Sequence, residues 1–327
     1  MLAQRAWLVP ACALCVSLVA CKRGARAADA GADLAAAQRA VIVIDQVGVE
    51  VVLWPAGAGP EPEGRSIAAR IWETLAQSTD FASAAPDGLP DAGPGTGPGP
   101  GTMRRPARMR VEVGVQPIEA TAAKPRLLRG AASLTLSWVG GERDDEEEDV
   151  PPSGAAVCEG ELPADVKQLG PASLSLVECA VGQAVRALVD KQAVRRGDEA
   201  AVMMALESSD PSLRQVALGV IAERQMRSAV PRLLELLKSK DELTRDGAIG
   251  ALVALREPRA VPVLTELAEF RDLDLMRRVI DAIGAIGGDE ARAYLELVAS
   301  GHDVPAVRDL AADALRRLLR RAGDAGV

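Results

Sequence analysis

The chain has 327 residues, enough for two domains and too many for a disulfide-stapled mini-protein. Hydrophobic residues make up 48% and aromatic residues 2%, so Ala, Leu and Val carry the apolar content, a composition that favours helices packed through small and aliphatic side chains. The formal charge of −8, from 38 basic and 46 acidic residues, leaves no positive field to follow a phosphate backbone, which argues against nucleic acid as a partner.

At the start of the chain, Arg5 precedes an apolar run from Ala6 to Ala20. The run is shorter than the roughly twenty residues of a membrane-spanning helix and reads as the core of a signal peptide, residues 1–20. It ends in Leu18-Val19-Ala20-Cys21, which resembles the lipobox of bacterial lipoproteins. The resemblance implies lipid attachment at Cys21, a mature N-terminus there, and a cell-envelope location. Because Lys22 follows the cysteine where inner-membrane retention uses Asp, it further implies the outer membrane, facing the periplasm. The alternative, ordinary cleavage near Ala28-Asp29-Ala30, would leave Lys22, Arg23 and Arg26 between the apolar run and the cut, where neutral residues are usual. Cys12 and Cys15 leave with the signal, so Cys158 and Cys179 are the thiols that remain in an oxidising compartment. They are either bridged or separately unpaired, since two cysteines specify no framework.

Residues 21–40, charged and Ala-rich without an apolar stripe, read as a tether. A small α+β domain is expected over 41–174. Val41 to Trp54 is a long strand or a hairpin broken near Gly48, and Ile67, Ile71 and Leu75 recur at helical spacing. Pro, Gly, Ala and Asp dominate 82–106, which is expected to be a disordered insert. Met109, Val111, Val113 and Val115 alternate with polar residues, as do Leu134, Leu136 and Trp138, giving two strands with one wet face each. The acidic stretch 141–153 reads as a solvated loop; it lacks the alternating carboxylates and internal Gly of a Ca²⁺ loop. Val177, Val181, Ala184, Val185 and Leu188 form a helical stripe, and Trp54, Trp72 and Trp138 are expected in the core. In element order this domain resembles the small α/β domains of curli-assembly-type and Tol-type periplasmic proteins. That resemblance implies an alternative role as an oligomerising component of an outer-membrane assembly or secretion complex.

Self-similarity at a period near 31 residues organises 175–320, with 321–327 as a tail. Asp210-Pro211-Ser212-Leu213-Arg214 aligns with Asp241-Glu242-Leu243-Thr244-Arg245, Ala217 with Ala248, Ile221 with Leu252, and Ala229-Val230-Pro231 with Ala260-Val261-Pro262; Leu234 meets Leu264 one residue out of step. A third copy starts at Asp272, with Met276 in place of the Arg, and a partial fourth at Asp303; Val177–Arg195 and Asp198–Leu206 fit a degenerate first pair. Each copy is two amphipathic helices, with Asp as the first N-cap, Pro211 at the first helical position of one copy and Pro231 or Pro262 at the start of the second helix, and neither helix can bury its stripe alone. The pattern resembles HEAT repeats, specifically the short HEAT-like repeats of the phycobilin lyase family. It implies an all-α solenoid behind the α+β domain, a scaffold for a protein partner, in which Arg214, Arg245 and Arg308 bond neighbouring turns and copies.

One histidine, His302, supports neither a metal cage nor a Ser-His-Asp arrangement, and no Gly-rich phosphate loop is present. The expectation is a non-enzymatic, lipid-anchored scaffold with no cofactor and no small-molecule substrate. Its candidate partner surface is the outward side of the second helices: Arg232, Glu235, Glu266, Glu269, Tyr294 and Glu296.

Overall fold

A computed structural model describes residues 41–83, 104–118, 126–139, 151–267 and 273–324. Cys21 and its lipobox, the tether, most of the Pro/Gly-rich segment, the acidic run and Glu269 lie outside the described residues. The chain divides into two units, Met1–Val189 and Asp190–Val327.

The first unit is a five-stranded mixed sheet with strand order β2-β1-β3-β4-β5. Strand β1 (Val41–Leu53) is one continuous strand, and helix α1 (Gly64–Leu75) connects it to β2 (Phe81–Ser83), parallel to it. Strand β3 (Arg104–Ile118) lies on the other side of β1, also parallel. Strands β4 (Leu127–Trp138) and β5 (Ser153–Glu161) then extend the sheet as an antiparallel meander. Two register shifts between β1 and β3, at Ile44/Gln46 and Val51/Leu53, mark bulges, which increase local twist and curl the sheet.

One face of the sheet is covered. Ile42 and Ile44, the alternating Met109, Val111, Val113 and Val115, and Leu128, Leu134 and Leu136 meet the predicted stripe of α1, Ile67, Ile71 and Leu75. The same core includes one side of α2 (Leu169–Arg196), through Val177, Val181, Ala184, Val185 and Leu188. By length and composition α2 could cross a membrane, but these apolar residues are already buried against the sheet. Trp54, Trp72 and Trp138 are each partly buried against this core, as expected. Helix and strands come close enough to exclude side chains: a Cβ on Gly130 would stand 2.7 Å from the Leu176 Cβ, and one on Gly154 would overlap the Ala184 carbonyl oxygen. A disulfide joins Cys158 on β5 to Cys179 on α2, resolving the open pairing question in favour of one bridge.

Several sequence-based boundaries move. The insert expected over 82–106 has structured ends, because Ala82 of β2 pairs with Val43 and Arg104–Pro106 of β3 pair with Val41–Val43; composition gives no sign of a strand whose partner lies far back in the chain. The acidic loop expected to end at 153 gives way to β5 at Ser153, a strand hidden by its small residues Gly154, Ala155, Ala156 and Gly160. The helical stripe Val177–Leu188, read as the first repeat helix with a boundary at 174/175, packs on the sheet instead. A 3.6-residue period shows that a helix buries one face and is silent on what covers it.

The second unit is helical: α3 (Glu199–Leu206), α4 (Pro211–Glu223), α5 (Val230–Leu236), α6 (Glu242–Ala254), α7 (Ala260–Leu267), α8 (Leu273–Ile286), α9 (Asp289–Gly301) and α10 (Pro305–Asp324). The tail expected from 321 is helical as far as Asp324. The first helices pack in succession, α4 on α6, α6 on α8 and α8 on α10. The period is 31 throughout. Ala217, Ala248 and Val279 are fully buried at that spacing in the first helices, and Val202, Leu233, Leu264 and Leu295 in the second. The partner of Leu264 is thus Leu233, which removes the one-residue slip seen when Leu234 is aligned with it. Helix ends repeat as well: Gln225, Arg256 and Gly287 all take positive φ at 31-residue steps, and in the first two copies the following amide closes back on Ile221 and Leu252.

Candidate protein-binding surface

The arginine ladder is internal mortar. Arg214, Arg245 and Arg308 each donate to the carbonyl six residues upstream, to Ser208 at 2.7 Å, Ser239 at 3.3 Å and His302 at 2.6 Å. Arg214 also reaches the next copy, donating to Thr244 Oγ1 at 3.2 Å and Asp241 Oδ2 at 3.3 Å. The Thr244 hydroxyl donates to the same carboxylate, and that bond, ahead of the one from Arg214, holds the Asp241 carboxyl below its usual range. Asp241 therefore occupies the N-cap position of α6 without capping a backbone amide, whereas Asp198 and Asp210 accept from Ala201 and Ser212 as the Asp-cap pattern predicts. Gln215, Arg224, Gln225 and Arg227 add side-chain bonds to backbone carbonyls of adjoining helices. Such bonds fix one copy on the next and leave these arginines engaged within the stack.

His302 ends α9: its Nδ1 accepts from the Val304 amide at 3.1 Å while its carbonyl accepts from Arg308. Among the described residues no group of three or more His, Cys, Asp or Glu side chains is placed to hold a metal ion.

The outward strip expected from the sequence resolves into several columns. Glu235 and Glu266 share one repeat position and are exposed. Arg232 and Tyr294 share another, but neither is a free outward group. Arg232 is clamped between Glu207 at 2.7 Å and Glu235 at 2.6 Å, and Tyr294 is half-buried against the repeat core, where desolvation pushes its hydroxyl pKa up. Glu296 lies in a third column and pairs with Arg292 at 2.8 Å. Tyr294, expected on the outward strip, lies beside the fully buried Leu295 and packs against the repeat core.

Sequence inspection missed the ends of the Glu235–Glu266 column. Stepping 31 residues back from Glu235 and forward from Glu266 reaches Met204 and Leu297, whose exposures of 73% and 68% are the highest of any large hydrophobic side chain among the described residues. A consistent 31-residue ruler would have found both.

The first unit also has an open face. Behind β1, β3, β4 and β5 runs a shallow groove of about 480 Å³, lined by Val52, Leu53, Gly114, Ala131, Ala155 and Val157. Arg110 with Glu50 at 2.8 Å, and Arg129 with Glu159 at 2.6 Å, form cross-strand pairs on the sheet.

A search of curated proteins finds no match to the chain. The HEAT-repeat family model matches residues 199–278, from the start of α3 into α8, and the helical region that follows the mixed sheet contains HEAT repeats.

Proposed function

We propose that the chain is a non-enzymatic, lipid-anchored scaffold of the cell envelope, whose HEAT repeats hold a protein partner on the second-helix face. The observation that carries the reading is the column Met204, Glu235, Glu266, Leu297: one repeat position on four successive second helices, with its two large apolar side chains in water. Apolar side chains left this exposed at matching positions suit a binding surface better than a solvated one. Support for the envelope comes from the Cys158–Cys179 bridge, which suits an oxidising compartment, and from the lipobox-like Leu18–Cys21.

The test is site-specific photocrosslinking in the native envelope. A crosslinker at 266 is expected to capture a protein that one at 219, on a first helix, does not, and Cys21→Ser is expected to move the chain out of the membrane fraction. Capture from 219 and not from 266 would refute the assigned face, and an unlipidated mature wild-type chain would refute the anchor. The open sheet groove favours a second reading, in which the α+β unit oligomerises within an assembly complex. Light scattering on the detergent-solubilised wild type would then report a large homo-oligomer, and a monomer removes that reading.

A further inference from the structure

The exposed column on the second helices has a chemical pattern that specifies more than "protein". Its ends are apolar, Met204 and Leu297, and its middle is acidic, Glu235 and Glu266. Charge is also divided between the two sets of helices. The second helices α3, α5, α7 and α9 hold six acidic residues and two arginines, net −4, whereas the first helices α4, α6, α8 and α10 hold eight acidic residues and nine arginines, net +1. The two arginines on the second helices are committed to carboxylates, Arg232 to Glu207 and Glu235 and Arg292 to Glu296, so they do not oppose an incoming cation from a free position. Both apolar ends suit capture: Met204 is flexible and polarisable and adapts to varied partners, and Leu297 stands clear of the buried Leu295.

We infer that this face takes an extended polypeptide segment with a basic centre and an apolar residue at each end, the apolar residues seating on Met204 and Leu297 and the Lys or Arg side chains lying over Glu266 and beside the carboxylate of the Arg232–Glu235 pair. This rests on the reading of the repeats as a protein-binding surface and adds the chemistry of the partner. Length follows from packing. The first helices of successive copies pack directly, at about 8–10 Å, so at the same step per copy the three steps from α3 to α9 cover roughly 24–30 Å. An extended strand rising about 3.3 Å per residue spans that distance in about eight or nine residues. The acidic face draws the basic centre in and rejects an acidic one, and the apolar contacts hold it once seated.

The test is fluorescence anisotropy of labelled synthetic peptides against the full lipidated chain in detergent. The probe is a ten-residue peptide with Leu or Trp at both ends and Lys and Arg between; the controls are a five-residue version, one with Ser at both ends and one with a Glu-rich centre. Saturable binding of the probe is expected, weakening with salt, with each control at least tenfold weaker. Met204→Ser with Leu297→Ser should weaken the probe at least tenfold, and Glu266→Lys several-fold with a flatter salt dependence. Leu243→Ser, on a first helix and similarly exposed, should leave affinity and helical content unchanged. Equal binding by the Met204/Leu297 variant, equal binding of the Glu-rich peptide, or no saturable binding of the probe overturns the inference. If the probe fails while a crosslinker at 266 still captures a protein, the segment chemistry is wrong and the binding face stands; if both fail, both readings fall.

Discussion

In the sheet unit the backbone of α2 lies directly on two strands, and the fit depends on residues that occur once: Gly130 beneath Leu176 and Gly154 beneath Ala184. In the repeat unit helices meet through side chains at positions that recur, so Leu233 has counterparts in Val202, Leu264 and Leu295, and Ala217 in Ala248 and Val279. Close backbone approach joins distant parts of the chain in a single way, and it fails at a single point. A stack of like copies spreads its stability over nearest-neighbour interfaces, and each site makes a small, bounded contribution. The disulfide, which ties β5 to α2, lies in the unit with no duplicate contacts to fall back on.

The sharpest way to break this comparison is Gly154→Val. The new side chain would drive into the Ala184 carbonyl oxygen and the Leu188 Cβ beneath α2, neither of which is the movable end of a side chain. Overpacking of this kind costs about 3 kcal/mol. We expect the sheet unit's melting transition to drop steeply or vanish while the far-ultraviolet helical signal of the repeats survives, read by circular dichroism and by limited proteolysis. Simultaneous loss of both units would show that the two are one cooperative body.

A smaller, local effect is expected at Glu257. Its side chain is 6% exposed between α6 and α7, accepting from Arg259 at 2.7 Å with Arg227 at 3.9 Å. The bond from Arg259, outweighing desolvation, holds its carboxyl below the usual range. Glu257→Gln is expected to cost about 1.5 kcal/mol, the value of a charged hydrogen bond discounted for its exposed arginine partner. Because the folded carboxyl is more acidic than the unfolded one, near about 4.3, its contribution is complete above that pH and disappears as pH falls through the folded value. The melting temperatures of wild type and variant should converge on acidification below about pH 4.3. A constant difference down to the lowest pH tested would exclude a titrating Glu257 as the cause.

The same contrast explains what could be read from the sequence. Repeats announce themselves because each copy restates the pattern: the buried column Val202, Leu233, Leu264 and Leu295 and the positive-φ turn at 225, 256 and 287 each recur one period apart. The candidate strip was only half legible, because the residues were selected one helix at a time. Glu235 and Glu266 were found that way, Met204 and Leu297 were not, and Tyr294 was taken as outward although its neighbour Leu295 is a core residue. In the sheet unit, strands with clean alternation such as Met109–Val115 were visible. Strand β5 was not, since Gly154 and Gly160 stand where alternation would place large apolar residues, and at Gly154 the reason is a helix that follows later in the chain. No local pattern reports a contact whose other half is α2.

Glycine also supplies the gentlest test, because in the repeat unit its removal should help. Gly219 in α4 and Gly250 in α6 occupy the same repeat position, each inside a helix and on its exposed side. A Cβ at either would meet nothing within 4 Å, in contrast to Gly154. Nothing in the fold requires glycine at this position, as the next two copies carry Asp281 and Ala312 there. Glycine within a helix is about 1 kcal/mol less favourable than alanine because the unfolded chain loses more conformational freedom. Gly219→Ala and Gly250→Ala should each raise the unfolding free energy of the repeat unit by about 1 kcal/mol. One period apart, on helices α4 and α6 that already pack together, the two should combine near-additively provided the new methyls stay clear of each other. Urea titration of the single and double variants measures both quantities. A neutral or destabilising result would overturn the reading of Gly219 and Gly250 as open, unstrained helix surface.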